Sequence, residues 1–284
     1  MRLSQLAVLG TALGTVVATL SGCATTSAVV LKDSSGDDNG PGSYVYPTDT
    51  VYAPGSFDLL DLQVREVGEN VEFKVTVNAV IEDPWNSPDW GGNGFSVQMA
   101  QVYIDQDHQE GSGYLDALPG YYVRFAPESA WDKVVVISPQ GRARVSQEIE
   151  QKAGALAPGV VIPTRTIAMG RTLIATVAKA DLGGAPAAGW GYQVLMQSNE
   201  GYPDGKEILT RKVNEYEGPH RFGGGTDYNC DPHVVDMLAP PAQGAGDEVE
   251  AQHNALSSYS CGDDPSVETD YILAVVPMIY PGAE

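Results

Sequence analysis

From Val71 to Val77 the chain reads VEFKVTV, with apolar and polar residues in alternation, the period of a strand that buries one face and wets the other. Further stretches of strand character are FDLLDLQV, FSVQMAQVYID, YYVRFA, WDKVVVIS, RARVSQEI, TLIATVAKA, YQVLMQS and YILAVVPMI. Clusters of Gly, Pro, Asn and Asp separate them at short intervals, as turns do in sandwiches and jelly rolls. Helical periodicity is scarce, and its best instance is DEVEAQHNALSSY, Asp247 to Tyr259. No repeat of fixed period is present. The one long flexible connection, LGGAPAAGWG from Leu182 to Gly191, does not split the chain convincingly. The pattern predicts one all-β domain, a jelly-roll-like β-sandwich with few short helices.

The first residues follow another pattern. MRLSQLAVLGTALGTVVATLSGC carries a single charge, Arg2, then an apolar run from Leu6 to Leu20 and small residues before Cys23. The run is too short and too interrupted by Gly and Thr to be a comfortable membrane span. It resembles a bacterial lipoprotein signal with its lipobox; an ordinary secretory signal with a chance cysteine is the alternative. The resemblance implies cleavage before Cys23, acylation of that cysteine, and a membrane tether whose strength grows by roughly 0.8 kcal/mol per buried methylene. In a diderm bacterium, Ala24 after the cysteine, rather than Asp, implies outer-membrane sorting, and the expected location is an outer membrane or cell surface. The expected organisation is a signal over 1–22, a short tether over 23–32 and a β-sandwich over 33–284.

Composition narrows the function. With 284 residues, 43% hydrophobic and 19% charged, the chain has enough apolar material for a core and too little charge for wholesale disorder. Its net charge of -21 repels nucleic acid, so nucleic-acid binding is excluded. Of three cysteines, Cys23 is assigned to lipid, leaving Cys230 and Cys261 as a disulfide pair in an oxidising compartment, or else as two free thiols. Catalytic signatures are missing: there is no G-x-S-x-G, P-loop, G-x-G-x-x-G opening a helix, H-E-x-x-H or C-x-x-C. The four histidines show no i,i+4 pair. The chain reads as a non-enzyme.

One stretch after the signal, LKDSSGDDNGPGSYVYPTDTVYAPGSFDL, is too irregular for a helix and too specific for a linker. Asp33, Asp37, Asp38 and Asn39 are hard oxygen donors among glycines, the ligand type that Ca2+ prefers; a plain Asx-type turn is the alternative. An EF-hand is rejected, because with Ser35 as position one the twelfth position is Tyr46 rather than Glu. A second acidic cluster, YIDQDHQEG, supplies Asp105, Asp107 and Glu110.

GDDNGPGSYVYPTDTVYAPGSFDLLDLQV resembles the opening of the glucodextranase C-terminal domain family. The likeness continues in order through DPWNSPDWGGNGFSVQMAQVYID, AWDKVVVISP and HRFGGGTDYNCDPHVVDMLAP. It departs at Asp83, where the family pattern has Asn before Pro-Trp, and in the lengthened DWGGN turn. The resemblance implies a β-sandwich akin to family 9 carbohydrate-binding modules and the wider DOMON-like group. It also implies a carbohydrate-binding or surface-attachment role, without catalysis. With no hydrolase domain in view, the expectation is a surface-displayed binder of an α-glucan or envelope polysaccharide, or an accessory to a hydrolase or envelope partner.

A neutral sugar needs an aromatic platform and a few side-chain hydrogen bonds. The candidates are Trp85, Asn86, Trp90 and Asn93 in the DPWNSPDWGGN loop, and Trp190 in GWGYQV. Trp85 reads equally as a loop anchor, and Trp131 reads as core. RFGGGTDYN is either a close-approach loop or a turn beside the disulfide. Two other classes stay open. One is a structural envelope or appendage protein with no small ligand. The other is a haem-binding, DOMON-like redox module using Met99, Met169, Met196 or a histidine.

Overall fold

The computed structural model describes residues 28–282 apart from 242, 243, 245 and 246. The signal segment and Cys23 lie outside the described residues. In chain order the strands are β1 (Val29–Lys32), β2 (Leu59–Val67), β3 (Asn70–Val77), β4 (Gln98–Asp105), β5 (Val123–Phe125), β6 (Lys133–Ile137), β7 (Val160–Val161), β8 (Arg165–Met169), β9 (Thr172–Ala178), β10 (Gly191–Ser198), β11 (Asp236–Met237) and β12 (Ala274–Val276). Three helices accompany them: α1 (Arg142–Lys152), α2 (Lys179–Leu182) and α3 (Asp247–Leu256).

Two five-stranded sheets form a sandwich, in the orders β1-β2-β3-β9-β8 and β11-β10-β4-β6-β7. The first is antiparallel throughout, and the second is antiparallel except for the parallel β6–β7 pair. Alternation in β3 and β9 buries every second residue. Phe73, Val75, Leu173 and Val177 meet Val102, Ile104, Val135 and Val194 of the second sheet in the inner core. Burying about 25 cal/mol per Å² of apolar surface there is the main stabilising term.

The second sheet is covered on its outer face too. All eight residues of β4 and all eight of β10 are buried. Met99, Tyr103 and Leu195 point away from the sandwich into a second core with Trp131, Val145 of α1 and Leu256 of α3. Much of the cover is irregular chain, whose backbone carbonyls need donors. Buried glutamines of β10 supply them: Gln193 Nε2 donates to the Leu238 carbonyl at 2.8 Å and the Pro277 carbonyl at 2.7 Å, and Gln197 Nε2 to the His233 carbonyl at 3.1 Å.

The sandwich and the helix over Asp247 onward were legible in the pattern, and three elements differ. RARVSQEI is α1, not a strand. Its buried residues are Val145, Glu148 and Ile149, a helical face. Glu148 pairs with Arg144 at 2.7 Å and Lys152 at 2.6 Å, each four residues away. Residues 29–32, read as tether, form the edge strand β1 against β2. Only Ala274–Val276 of YILAVVPMI is strand, paired in parallel with β5, and Pro277 cannot extend the ladder.

Cys230 and Cys261 are bridged, with Cα atoms 5.1 Å apart across 31 positions. The loop they close holds β11 and α3. Replacing both cysteines with serine is expected to lower unfolding free energy by roughly 3–4 kcal/mol on the loop-entropy estimate, read as a smaller urea midpoint with a slope that rises as the freed unfolded chain exposes more surface.

His233 sits fully buried in the covering chain, its ring edge-on to Tyr122 at 4.9 Å. Burial, assisted by the Lys212 charge, pushes its pKa from 6.5 down to about 3. The unfolded chain binds a proton below 6.5 that the folded chain refuses, so this group removes stability as pH falls from 6.5 toward 3. His233→Gln is expected to gain stability relative to wild type as pH falls from 7 to 5, measured by urea unfolding of both proteins; a difference that does not change with pH would contradict this.

Candidate functional site: an aromatic groove and a buried acid cluster

At one end of the second sheet, β4 begins while β6 and β10 finish. A groove of about 600 Å³ opens there, lined by Trp85, Trp90 and Tyr202 together with Arg144, Arg211 and His220. Trp90 is 38% exposed and Tyr202 is 93% exposed. A polar lobe of about 200 Å³ is lined in part by the same Glu200, Tyr202, Arg211 and His220, so the groove continues past Tyr202.

The DPWNSPDWGGN loop is built to hold its tryptophans still. Asp83 accepts hydrogen bonds from the Ser87 amide at 2.9 Å and from the hydroxyls of Ser87 and Ser96. That knot ends in a 3-10 turn over Ser87–Trp90. Trp90 Nε1 donates to the Trp85 carbonyl at 3.2 Å. Gly92 is packed so closely that an added Cβ would lie 2.6 Å from the Pro139 carbonyl oxygen, which only glycine tolerates.

Trp85 is half-buried. Its ring stands edge-on to Tyr52 at 6.2 Å and to His220 at 5.9 Å, against an aromatic cluster that includes Phe57 and Phe222. It serves as anchor and wall together. Arg211 is fixed by Glu200 at 2.7 Å, by the Asn199 carbonyl at 3.1 Å and by the Tyr52 ring at 5.8 Å. Arg144 is paired with Glu148. Each groove arginine thus has a carboxylate partner, Glu148 being shared between Arg144 and Lys152, and the groove presents fixed donors and acceptors.

Of the residues singled out in the sequence, the groove brings together Trp85 and Trp90. Asn86 is spent within its own loop, donating to Asp89 at 2.6 Å. Asn93 pins the loop, its amide donating to the Ser138 and Gln140 carbonyls at 2.9 Å each. Trp190 corrects the expectation of an exposed platform: it is 7% exposed and packs in the inner core. It precedes the start of β10, while the groove lies at that strand's other end. Its flanking glycines signalled a turn but not which way the ring faced. Tyr202 and Arg211 were missed, although Tyr202 in NEGYPDG carries the same Gly/Pro-flanked aromatic signal as Trp90.

The second assembly is acidic. Asp33, Asp37 and Asp236 bring carboxylate oxygens within 4.8 Å of one another, with Asp58 and Glu248 close by and all five buried. No cation among the described residues is paired with Asp33 or Asp37, and the side chain within hydrogen-bonding reach of Asp33 is another carboxyl, Glu248. Burial, then Asp236, Asp37 and Glu248, push the Asp33 pKa well up. Burial raises Asp37 to about 7, with Asp58, Glu248 and Asp38 adding to it. Asp236 is pushed well up by burial and by Asp37. Asp38 and Asn39 face elsewhere: Asp38 accepts from the Tyr46 hydroxyl, and Asn39 Oδ1 lies 3.0 Å from His253 Nε2.

The YIDQDHQEG cluster takes in Asp132 rather than Glu110 beside Asp105 and Asp107. Its oxygens are occupied: Asp105 takes the His108 amide at 2.8 Å and the Tyr280 hydroxyl, and Asp132 the Gln106 amide at 2.7 Å. That is turn chemistry. The RFGGG segment lies against the N-terminal arm, where Val45 and Gly223 exchange backbone hydrogen bonds of 2.9 and 3.0 Å. Met99 lies in the outer core, Met196 in the inner core and Met169 in the open, so these three do not converge on one site.

A family model described as the C-terminal, SLH-like binding module of glucodextranase matches residues 29–273. The chain belongs to this family. No curated protein matches it. The glucodextranase C-terminal module is a binding module rather than a catalytic domain, and its SLH-like character points to a surface or extracellular setting. Within the described residues the aromatic groove, at about 600 Å³, is a concave site of a size that small ligands use.

Proposed function

We propose that this chain is a non-catalytic carbohydrate-binding module, held at an outer membrane or cell surface by acylated Cys23. Its ligand is a neutral polysaccharide, either an α-glucan or an envelope glycan. One observation carries the reading: Trp90 and Tyr202 stand exposed in a groove whose arginines are already paired with carboxylates. The apolar face of a pyranose lies on an aromatic ring, and its hydroxyls take the fixed donors and acceptors of Arg211, Glu200 and Asn199. The polar lobe beyond Tyr202 suits a chain running past the platform better than a single ring. Family membership in a binding module supports the same reading, and a hydrolase or envelope protein displayed nearby is the partner it fits.

A glycan-array screen of the purified protein tests this. Binding to α-linked glucans or another neutral polysaccharide is expected, at least tenfold weaker in Trp90→Ala and in Tyr202→Ala, a loss of about 1.4 kcal/mol. Silence across the array from protein with a cooperative melting transition would overturn it in favour of a structural envelope protein.

A further inference from the structure

The acid cluster contradicts the ordinary rule for buried charge. Carboxylates leave water only when paired, hydrogen-bonded or bound to a metal. Asp37 is fully buried and Asp33 is 6% exposed, no cation among the described residues is paired with either, and the side chain within hydrogen-bonding reach of Asp33 is another carboxyl, Glu248. The charged groups acting on them are other carboxylates. The neighbouring acids are held in place: Asp58 accepts from the Gly36 amide at 3.0 Å and Asn78 Nδ2 at 2.9 Å, and Asp236 accepts from the Leu59 amide at 2.6 Å and the Met237 amide at 2.8 Å. Some oxygens are thus committed to protein donors, while those of Asp33 and Asp37 remain for something else.

We infer that Asp33, Asp37 and Asp236, with Asp58 and Glu248 around them, bind a calcium ion. The donor set is all oxygen and carries no Cys or His, which suits a hard cation and not zinc. The ligands come from four places in the fold: the N-terminal arm (Asp33, Asp37), the approach to β2 (Asp58), the edge strand β11 (Asp236) and the first turn of α3 (Glu248). Asp236 already bridges the sheets through the Leu59 amide of β2. The ion therefore fastens the arm and α3 onto both sheets. The site stands apart from the carbohydrate reading and does not depend on it.

The test is metal content and thermal unfolding of the purified wild-type protein. After dialysis against metal-free buffer, about one calcium per chain is expected to remain by elemental analysis. A strong chelator is expected to lower Tm by about 5–10 °C, and calcium to restore it where equimolar Mg2+ does not. Asp37→Asn removes one ligand and keeps the shape. It should lose the calcium-dependent rise in Tm, yet melt no lower in chelator than chelated wild type, because one buried charge is gone. If the wild type carries no calcium and its Tm is indifferent to chelator and calcium, the carboxyls are held by shared protons and the inference is overturned.

Discussion

The second sheet, buried on both faces, is the constraint on which the molecule depends. An ordinary sandwich lets each sheet keep one face in water, as the first sheet does here with its alternating β3 and β9. Every position of β4 and β10 is withheld from solvent, so the outer face needs a roof. That roof is mostly chain without regular structure, which buries backbone groups at a cost unless each finds a partner. Gln193 and Gln197 answer that need from within a strand, donating to the carbonyls of Leu238, Pro277 and His233. The disulfide and α3 hold down the same stretch.

Both candidate sites follow from this arrangement. A sheet closed on both faces leaves its ends for ligands. The end at which β6 and β10 finish carries the tryptophan loop, α1 and the segment around Tyr202. The acid cluster lies where the roof meets the N-terminal arm. Tyr46 joins the two neighbourhoods: its hydroxyl donates to Asp38 and accepts from the Phe57 amide at 3.0 Å, and its ring packs edge-on to Phe57 at 5.3 Å. Phe57 in turn belongs to the aromatic bed under Trp85.

What the sequence made legible was what depends on near neighbours. Alternation revealed β3, and acids among glycines drew attention to Asp33 and Asp37. The failures have physical causes. RARVSQEI alternates on paper, but its inward face is set by Val145 and Ile149 four residues apart, a spacing that a short window reads either way. Trp190 has glycine beside it as Trp90 does, yet one faces the core and the other solvent, because facing is decided by the sheet that follows. Asp236 and Glu248 lie some two hundred positions from Asp33, so no local pattern could join them to it.

Tryptophan accessibility gives the most direct test of the central claim, because the residues divide cleanly. Trp131 and Trp190 are buried, while Trp85 and Trp90 line the groove. Acrylamide quenching of tryptophan emission is therefore to be measured across a titration with α-linked gluco-oligosaccharides of increasing length. The account requires saturable protection from the quencher that strengthens with chain length and disappears in Trp90→Ala. Oligosaccharide binding that leaves quenching unchanged, or that survives Trp90→Ala at full strength, would place the ligand elsewhere and contradict it.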